Sequence, residues 1–168
     1  MKSIKFAIMA FSVIVSLMAR GDSAKVAVSL LKGFEGFKAT VYKCSAGKDT
    51  IGYGFTDSAT VNKGYITKAE ANKKLLAICK GIRSKVRKEI GSNLTEKQEA
   101  AIISFVYNVG FANFKTSSMC KLLKQKKSGA AISKEFKKWV YVTNGGKKVK
   151  VQGLINRRAK EAAYFVKG

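Results

Sequence analysis

The chain has 168 residues, with 33 Lys and Arg against 10 Asp and Glu, so its formal net charge is +23. It contains no His, no Pro and three Cys, which excludes His-based triads, His-ligated zinc sites and a disulfide-dense scaffold. A hydrophobic share of 46% is enough to offset chain entropy in one ordinary domain, so the charge does not make the chain disordered.

Such an excess of positive charge points to an extended anionic partner: nucleic acid, an anionic membrane or a bacterial cell-wall polymer. The basic residues are spread over Lys73-Lys74, Lys85 to Lys88, Lys124 to Lys127, Lys137-Lys138, Lys147 to Lys150 and Arg157-Arg158. This scatter suits a generally cationic surface better than a single groove with interleaved aromatics.

At the amino terminus Lys2 and Lys5 precede Phe6 to Ala19, a run interrupted only by Ser12 and Ser16 and closed by Arg20-Gly21-Asp22. A basic start followed by a short apolar stretch is the pattern of an export signal. The run is shorter than the roughly 20 apolar residues a stable transmembrane helix needs. The sequence therefore divides into an export segment, 1–22, and a folded domain, 23–168. Whether the segment is cleaved or kept as a weak anchor stays open.

Ser23 is expected to cap a first helix, with Val26, Leu30, Leu31 and Phe34 at helical spacing and a stop at Gly36. Residues 38–66 change character. Thr40, Val41, Tyr42, Thr50, Ile51, Tyr53 and Phe55 are strand formers broken by glycines, which predicts a small antiparallel sheet. Thr67-x-x-Glu70 is a capping box ahead of a long helix carrying Leu75, Cys79, Ile82, Val86 and Ile90 on one face and ending at Gly91. Thr95-x-x-Gln98 opens a largely apolar, hence central, helix closed by Gly110. Further helices are expected over 118–126, 130–140 and 154–166, with Asn144-Gly145-Gly146 as a turn. The class is α+β, mostly helical, with the sheet as one wall. Cys79 and Cys120 read as small core residues.

Acids are scarce, and Glu35 stands at a helix end between Phe34 and Phe37. Apolar rings and an unfavourable helix-end dipole both keep a proton on a carboxyl, as a general acid requires.

Around this residue, Gly33-Phe34-Glu35-Gly36-Phe37, Val41-Tyr42-Lys43-Cys44 and Thr50-Ile51-Gly52-Tyr53-Gly54-Phe55-Thr56 closely resemble the active-site region of phage-type lysozymes, glycoside hydrolase family 24. In that family the helix-end Glu is followed nine residues later by an Asp and six further on by a Thr. Here those intervals lead from Glu35 to Cys44 to Thr50. The resemblance continues through Leu94-Thr95-x-x-Gln98, Ser104 to Gly110, Trp139-Val140, and Gln152-Gly153-Leu154-Ile155-Asn156-Arg157-Arg158-x-x-Glu161, so it spans about residue 24 to the end. It implies a lysozyme-like fold of a sheet lobe and a helical lobe with the active-site groove between them.

The resemblance further implies Glu35 as acid, Cys44 in the place of the usual Asp, and Thr50 holding the attacking water. No metal or cofactor is implied. Phe55 replaces a common His. Some exported members resemble this chain in carrying a catalytic Cys; the alternative is that Cys44 is inert and Thr50 with water suffices. A thiol at this position admits redox control by pairing with Cys79 or Cys120, and neighbouring Lys43 and Lys48 favour its thiolate. For the sugar groove, Tyr53, Tyr107 and Asn108 are candidates because rings stack on sugars and amides bond hydroxyls, although Tyr53 equally fits a sheet core and Asn108 a helix cap.

The resulting expectation is a monomeric endolysin acting on peptidoglycan, with no nucleic-acid partner. Its segment 1–22 resembles signal-arrest-release anchors, which hold the protein at the host inner membrane with the N-terminus in the cytoplasm before release to the periplasm. The alternative is a non-catalytic cationic protein that binds nucleic acid or membranes through charge.

Overall fold

The computed structural model describes residues 21–44 and 47–168. The expected export run, Phe6 to Ala19, lies outside the described residues, and of segment 1–22 only Gly21 and Asp22 fall within them. Among the described residues no helix is long and apolar enough to cross a membrane.

Helix α1, Ser23–Glu35, is capped by Asp22 rather than Ser23. The Asp22 carboxylate accepts the Ala24 N–H at 3.2 Å and is held by Arg83 at 2.6 Å. Ser23 sits one residue too late to cap, and its hydroxyl turns inward to donate to buried Glu99 at 2.5 Å. After Gly36 the chain forms β1, Lys38–Lys43, and β2, Asp49–Gly52, paired antiparallel with Tyr42 opposite Thr50 and Lys43 opposite Asp49. Single bridges extend this small sheet from Thr40 to Tyr65 and from Ile51 to Phe55. A one-turn helix, α2 (Ser58–Val61), leads to α3, Lys68–Ile90, whose capping box at Thr67 and Glu70 is formed as expected. At 1.5 Å per residue α3 runs about 35 Å.

Helix α4, Glu96–Val109, is buried from Glu99 to Val106 and packs against α1 on one side and the last helix on the other. The apolar residues surround its axis, so it can be stable only inside the protein. A short helix that the sequence did not resolve follows, α5 (Phe111–Thr116), then α6 (Ser118–Lys124), which falls within the helix expected over 118–126, and α7 (Gly129–Phe136). The helix expected over 130–140 stops at Phe136. Beyond it, Tyr141–Asn144 (β3) and Lys147–Lys150 (β4) pair antiparallel across the Gly145-Gly146 turn. Here β-branched and aromatic residues flanking a two-residue glycine turn favour a hairpin over a longer helix. Helix α8, Gln152–Val166, closes the fold.

The core is in two parts. Ala27, Leu31, Ile51, Tyr53, Phe55, Leu75 and Ile103 join α1, the sheet and the start of α3. Val86, Ile102, Phe105, Phe114, Met119, Phe136 and Phe165 join the helical lobe. Cys79 and Cys120 are buried, one in each part, as expected. The lobes share α3 and α4, and this leaves a groove between them. Truncating the fully buried Ile102 to Ala should lower the unfolding free energy by about 2–5 kcal/mol in urea titration, whereas Val149→Ala, on the exposed hairpin, should change it by less than about 0.5 kcal/mol.

Candidate active site

Glu35 ends α1, and its neighbours come from every other wall of the groove. Arg157 of α8 donates Nη1 to Glu35 Oε1 at 2.6 Å. The same guanidinium donates Nε to Glu161 at 3.1 Å and Nη2 to the Ser104 carbonyl at 3.3 Å, and lies 4.9 Å from the Phe34 ring centroid. The nearest group to the acid is therefore a buried cation, not the apolar rings that flank it in sequence. Phe34 covers Arg157, and Phe37 packs on Tyr53 with ring centroids 5.4 Å apart.

The second carboxyl oxygen faces the loop after β2. A methyl group on Gly54 would stand 3.4 Å from Glu35 Oε2 and 3.9 Å from the Tyr107 hydroxyl, and Gly54 has a φ of +89°. The Tyr107 hydroxyl donates to the Tyr53 carbonyl at 2.7 Å. Burial first, and then the Glu35 charge, push its phenol above the ordinary range, so it stays protonated.

Cys44 follows β1, half-buried, with its N–H donating to the Lys48 carbonyl at 3.0 Å. Tyr42, two residues earlier, is raised in pKa by burial, then by Glu35 and then by Cys44. The carboxyl and the sulfur thus act on one phenol, which puts both at the same end of the groove. Thr50 is buried, and its Oγ1 donates to the Lys48 carbonyl at 2.9 Å. With that proton committed, the hydroxyl oxygen can accept a hydrogen from a water.

Several sequence expectations change. Cys79 and Cys120 are free thiols in separate core clusters, so neither is bonded to Cys44. Burial pushes the Cys79 thiol up to about 12, which makes Cys79 a poor attacking thiol for exchange. Lys43 forms an ion pair with Asp49 at 2.9 Å, so its charge is shared rather than reserved for Cys44. Tyr53 is 2% exposed, its hydroxyl donating to Asn72 at 3.1 Å; its ring belongs to the core and offers no face to a sugar. Asn108 does not cap its helix, since Gly110 ends α4; its Oδ1 accepts from Arg158 instead. Sequence reasoning missed the roles of Arg157, Tyr42 and Gly54. The Arg157-Arg158-x-x-Glu161 spacing was the available signal, because those positions share one helical face.

Two cavities meet at Thr56 along the groove. One of about 360 Å³ is lined by Gly54, Thr56, Lys85, Tyr107 and Phe111. The other, of about 470 Å³, is lined by Lys43, Lys48, Asp49 and Thr56. Among the described residues no group of three or more Cys, Asp or Glu could hold a metal ion.

A helix-end carboxyl set against a small sheet over a groove between two lobes defines the lysozyme-like class of glycosidase folds. The phage lysozyme family profile matches residues 32–161. The endolysin of Acyrthosiphon pisum secondary endosymbiont phage 1 is 35% identical over 136 residues, 81% of this chain and 92% of that protein. The SAR-endolysin of Bacteriophage PS119 is 33% identical over 133 residues, 77% of this chain and 74% of its own length. The muramidase domain of SpmX from Asticaccaulis excentricus superposes with a TM-score of 0.77 at 27% identity, covering 87% of this chain and 98% of that domain. The chain belongs to the phage lysozyme family, and it is a lysozyme.

Gly54→Ala tests how closely the loop approaches the acid. The added methyl would meet Glu35 Oε2 at 3.4 Å, an ordinary contact, so its cost lies in holding a non-glycine residue in a left-handed backbone, about 1–3 kcal/mol. If the loop shifts to relieve this, turnover of peptidoglycan should fall about tenfold, with the helical circular dichroism retained.

Proposed function

We propose that this chain is an endolysin that hydrolyses the β-1,4 linkage between N-acetylmuramic acid and N-acetylglucosamine in peptidoglycan, with Glu35 as the proton donor. The observation that carries this reading is the Glu35 carboxyl, pinned through Oε1 by Arg157 and turned through Oε2 toward the loop at Gly54. The relatives named endolysin and the neighbour named muramidase support the substrate class.

Glycoside hydrolysis needs an acid at the leaving oxygen and a second group on the other side of the sugar ring. Glu35 delivers its proton from Oε2 to the glycosidic oxygen as the bond to the anomeric carbon breaks. A water that donates to Thr50 Oγ1 adds to that carbon and gives its other proton to the Cys44 thiolate. Cys44 is suited to this part only as a thiolate, and an ordinary thiol titrates near pH 8.5. The groove lysines Lys43 and Lys48 meet the anionic groups of the polymer.

Residues 23–168 make up the catalytic domain in this reading. Residues 1–22 export it and tether it at the host inner membrane until release, a role supported by the apolar run Phe6 to Ala19 and by the relative named SAR-endolysin.

Glu35→Gln should reduce hydrolysis of purified peptidoglycan by at least about 100-fold, the usual worth of a general acid, without changing the net charge at acidic pH. Lysis of whole cells by this variant that persists without peptidoglycan hydrolysis would instead identify killing by charge. Cys44→Ala in the same assay should lose activity that Cys44→Asp keeps. Full activity in the alanine variant would leave the work to Thr50 and water. In cell fractionation the full chain should sediment with membranes, and a form lacking residues 1–22 should remain soluble and active.

A further inference from the structure

Glu161 lies one turn beyond Arg157 on α8 and is completely buried. Its Oε1 accepts from the Ser104 hydroxyl at 2.7 Å and from Arg157 Nε at 3.1 Å, while its Oε2 accepts from Arg158 Nη1. Arg157, itself held at Nη2 by the Ser104 carbonyl, has Nη1 directed at Glu35. The order of charges along this chain of contacts is Arg158 positive, Glu161 negative, Arg157 positive, Glu35 negative. We propose that Glu161 is a positioning residue for the reaction: it fixes Arg157 against Glu35 and offsets the positive field of the two guanidiniums at the proton donor. The proposal rests on the reading of Glu35 as that donor.

The groups that act on Glu35 come from each element packed around it. Arg157 comes from α8, with Glu161 and Arg158 behind it and Lys160 over the Phe34 ring. Tyr107 comes from α4, and Tyr42 from β1 with Cys44 beyond it. The tyrosines are neutral when protonated, so the fixed charges are those of α8. Of these, Glu161 is the sole carboxylate among the described residues in direct contact with Arg157 besides Glu35 itself. Removing its charge makes the field at Glu35 more positive. A more positive field favours the ionised carboxylate, and an ionised carboxylate has no proton to donate. Activity is then lost at lower pH as pH rises.

The test is the pH dependence of kcat on soluble peptidoglycan oligomers. In Glu161→Gln the alkaline limb should move acidic by about one pH unit, with kcat above that limb reduced about tenfold and KM changed less than about twofold, because the lost contact acts on proton transfer rather than on substrate binding. Glu161→Asp keeps the charge and should leave the limb near that of the unaltered enzyme, even if the shorter side chain makes the protein melt earlier. Arg158→Gln leaves Glu161 paired with Arg157 and Ser104 and removes one positive charge. Its limb should move the opposite way, and it carries the test if Glu161→Gln does not fold. An unmoved limb in the folded variant, or equal shifts in the Gln and Asp variants, overturns the proposal. Activity surviving in Glu35→Gln points to failure of the functional reading instead, so the two failures are distinguishable.

Discussion

The fold is organised around a buried carboxylate held between two buried guanidiniums. Glu161 and Arg158 are almost wholly excluded from solvent and Arg157 nearly so. Taking such charges out of water costs several kcal/mol for each ion, and the cost is offset only when every partner is present. Here the partners come from separate parts of the chain. Ser104 is supplied by α4, the Trp139 carbonyl by the segment after α7, Asn108 by the end of α4 and Glu35 by the end of α1. The Phe34 and Phe105 rings cover the two guanidiniums. The cluster therefore fixes α1, α4 and α8 relative to one another, and the acid is one of its corners. Stability and catalytic geometry are properties of the same set of contacts.

The groove follows from the division of the core. Helices α3 and α4 contribute to both apolar clusters, while the sheet belongs to one cluster and α5 to α8 mostly to the other. Two apolar cores that share a spine do not close completely over each other, and the groove lies at the seam between them. The loop at Gly54 crosses this seam so close that a methyl group there would be in van der Waals contact with Glu35 and Tyr107.

If Cys44 stands in the place of a catalytic Asp, as the resemblance implies, the thiol changes the electrostatics of the groove beside Tyr42. An Asp there would add a permanent negative charge near Tyr42, whereas a thiol adds one only when ionised. The two remaining thiols lie in the core, where a thiolate is unfavourable. In the proposed reading the site combines an arginine-fixed acid with a thiol whose charge depends on pH.

Local signals in the sequence determined the capping boxes at Thr67 and Thr95, the central position of α4, the small sheet, the buried Cys79 and Cys120, and Glu35 at the end of its helix. Each depends on residues a few positions apart, through helical spacing, side-chain caps or glycine turns. Spacing also linked Glu35, Cys44 and Thr50 by resemblance. What only the tertiary structure decided depends on residues far apart in the chain. Arg157 reaches Glu35 across 122 positions, Ser23 turns from cap to partner of Glu99 across 76, and Tyr107 binds the Tyr53 carbonyl across 54. The Tyr53 ring was assigned to the core rather than the groove in the same way, by Asn72 and Phe37. The partner in a long-range ion pair such as Arg157–Glu35 is set by which side chains desolvate each other, and no local pattern encodes that choice.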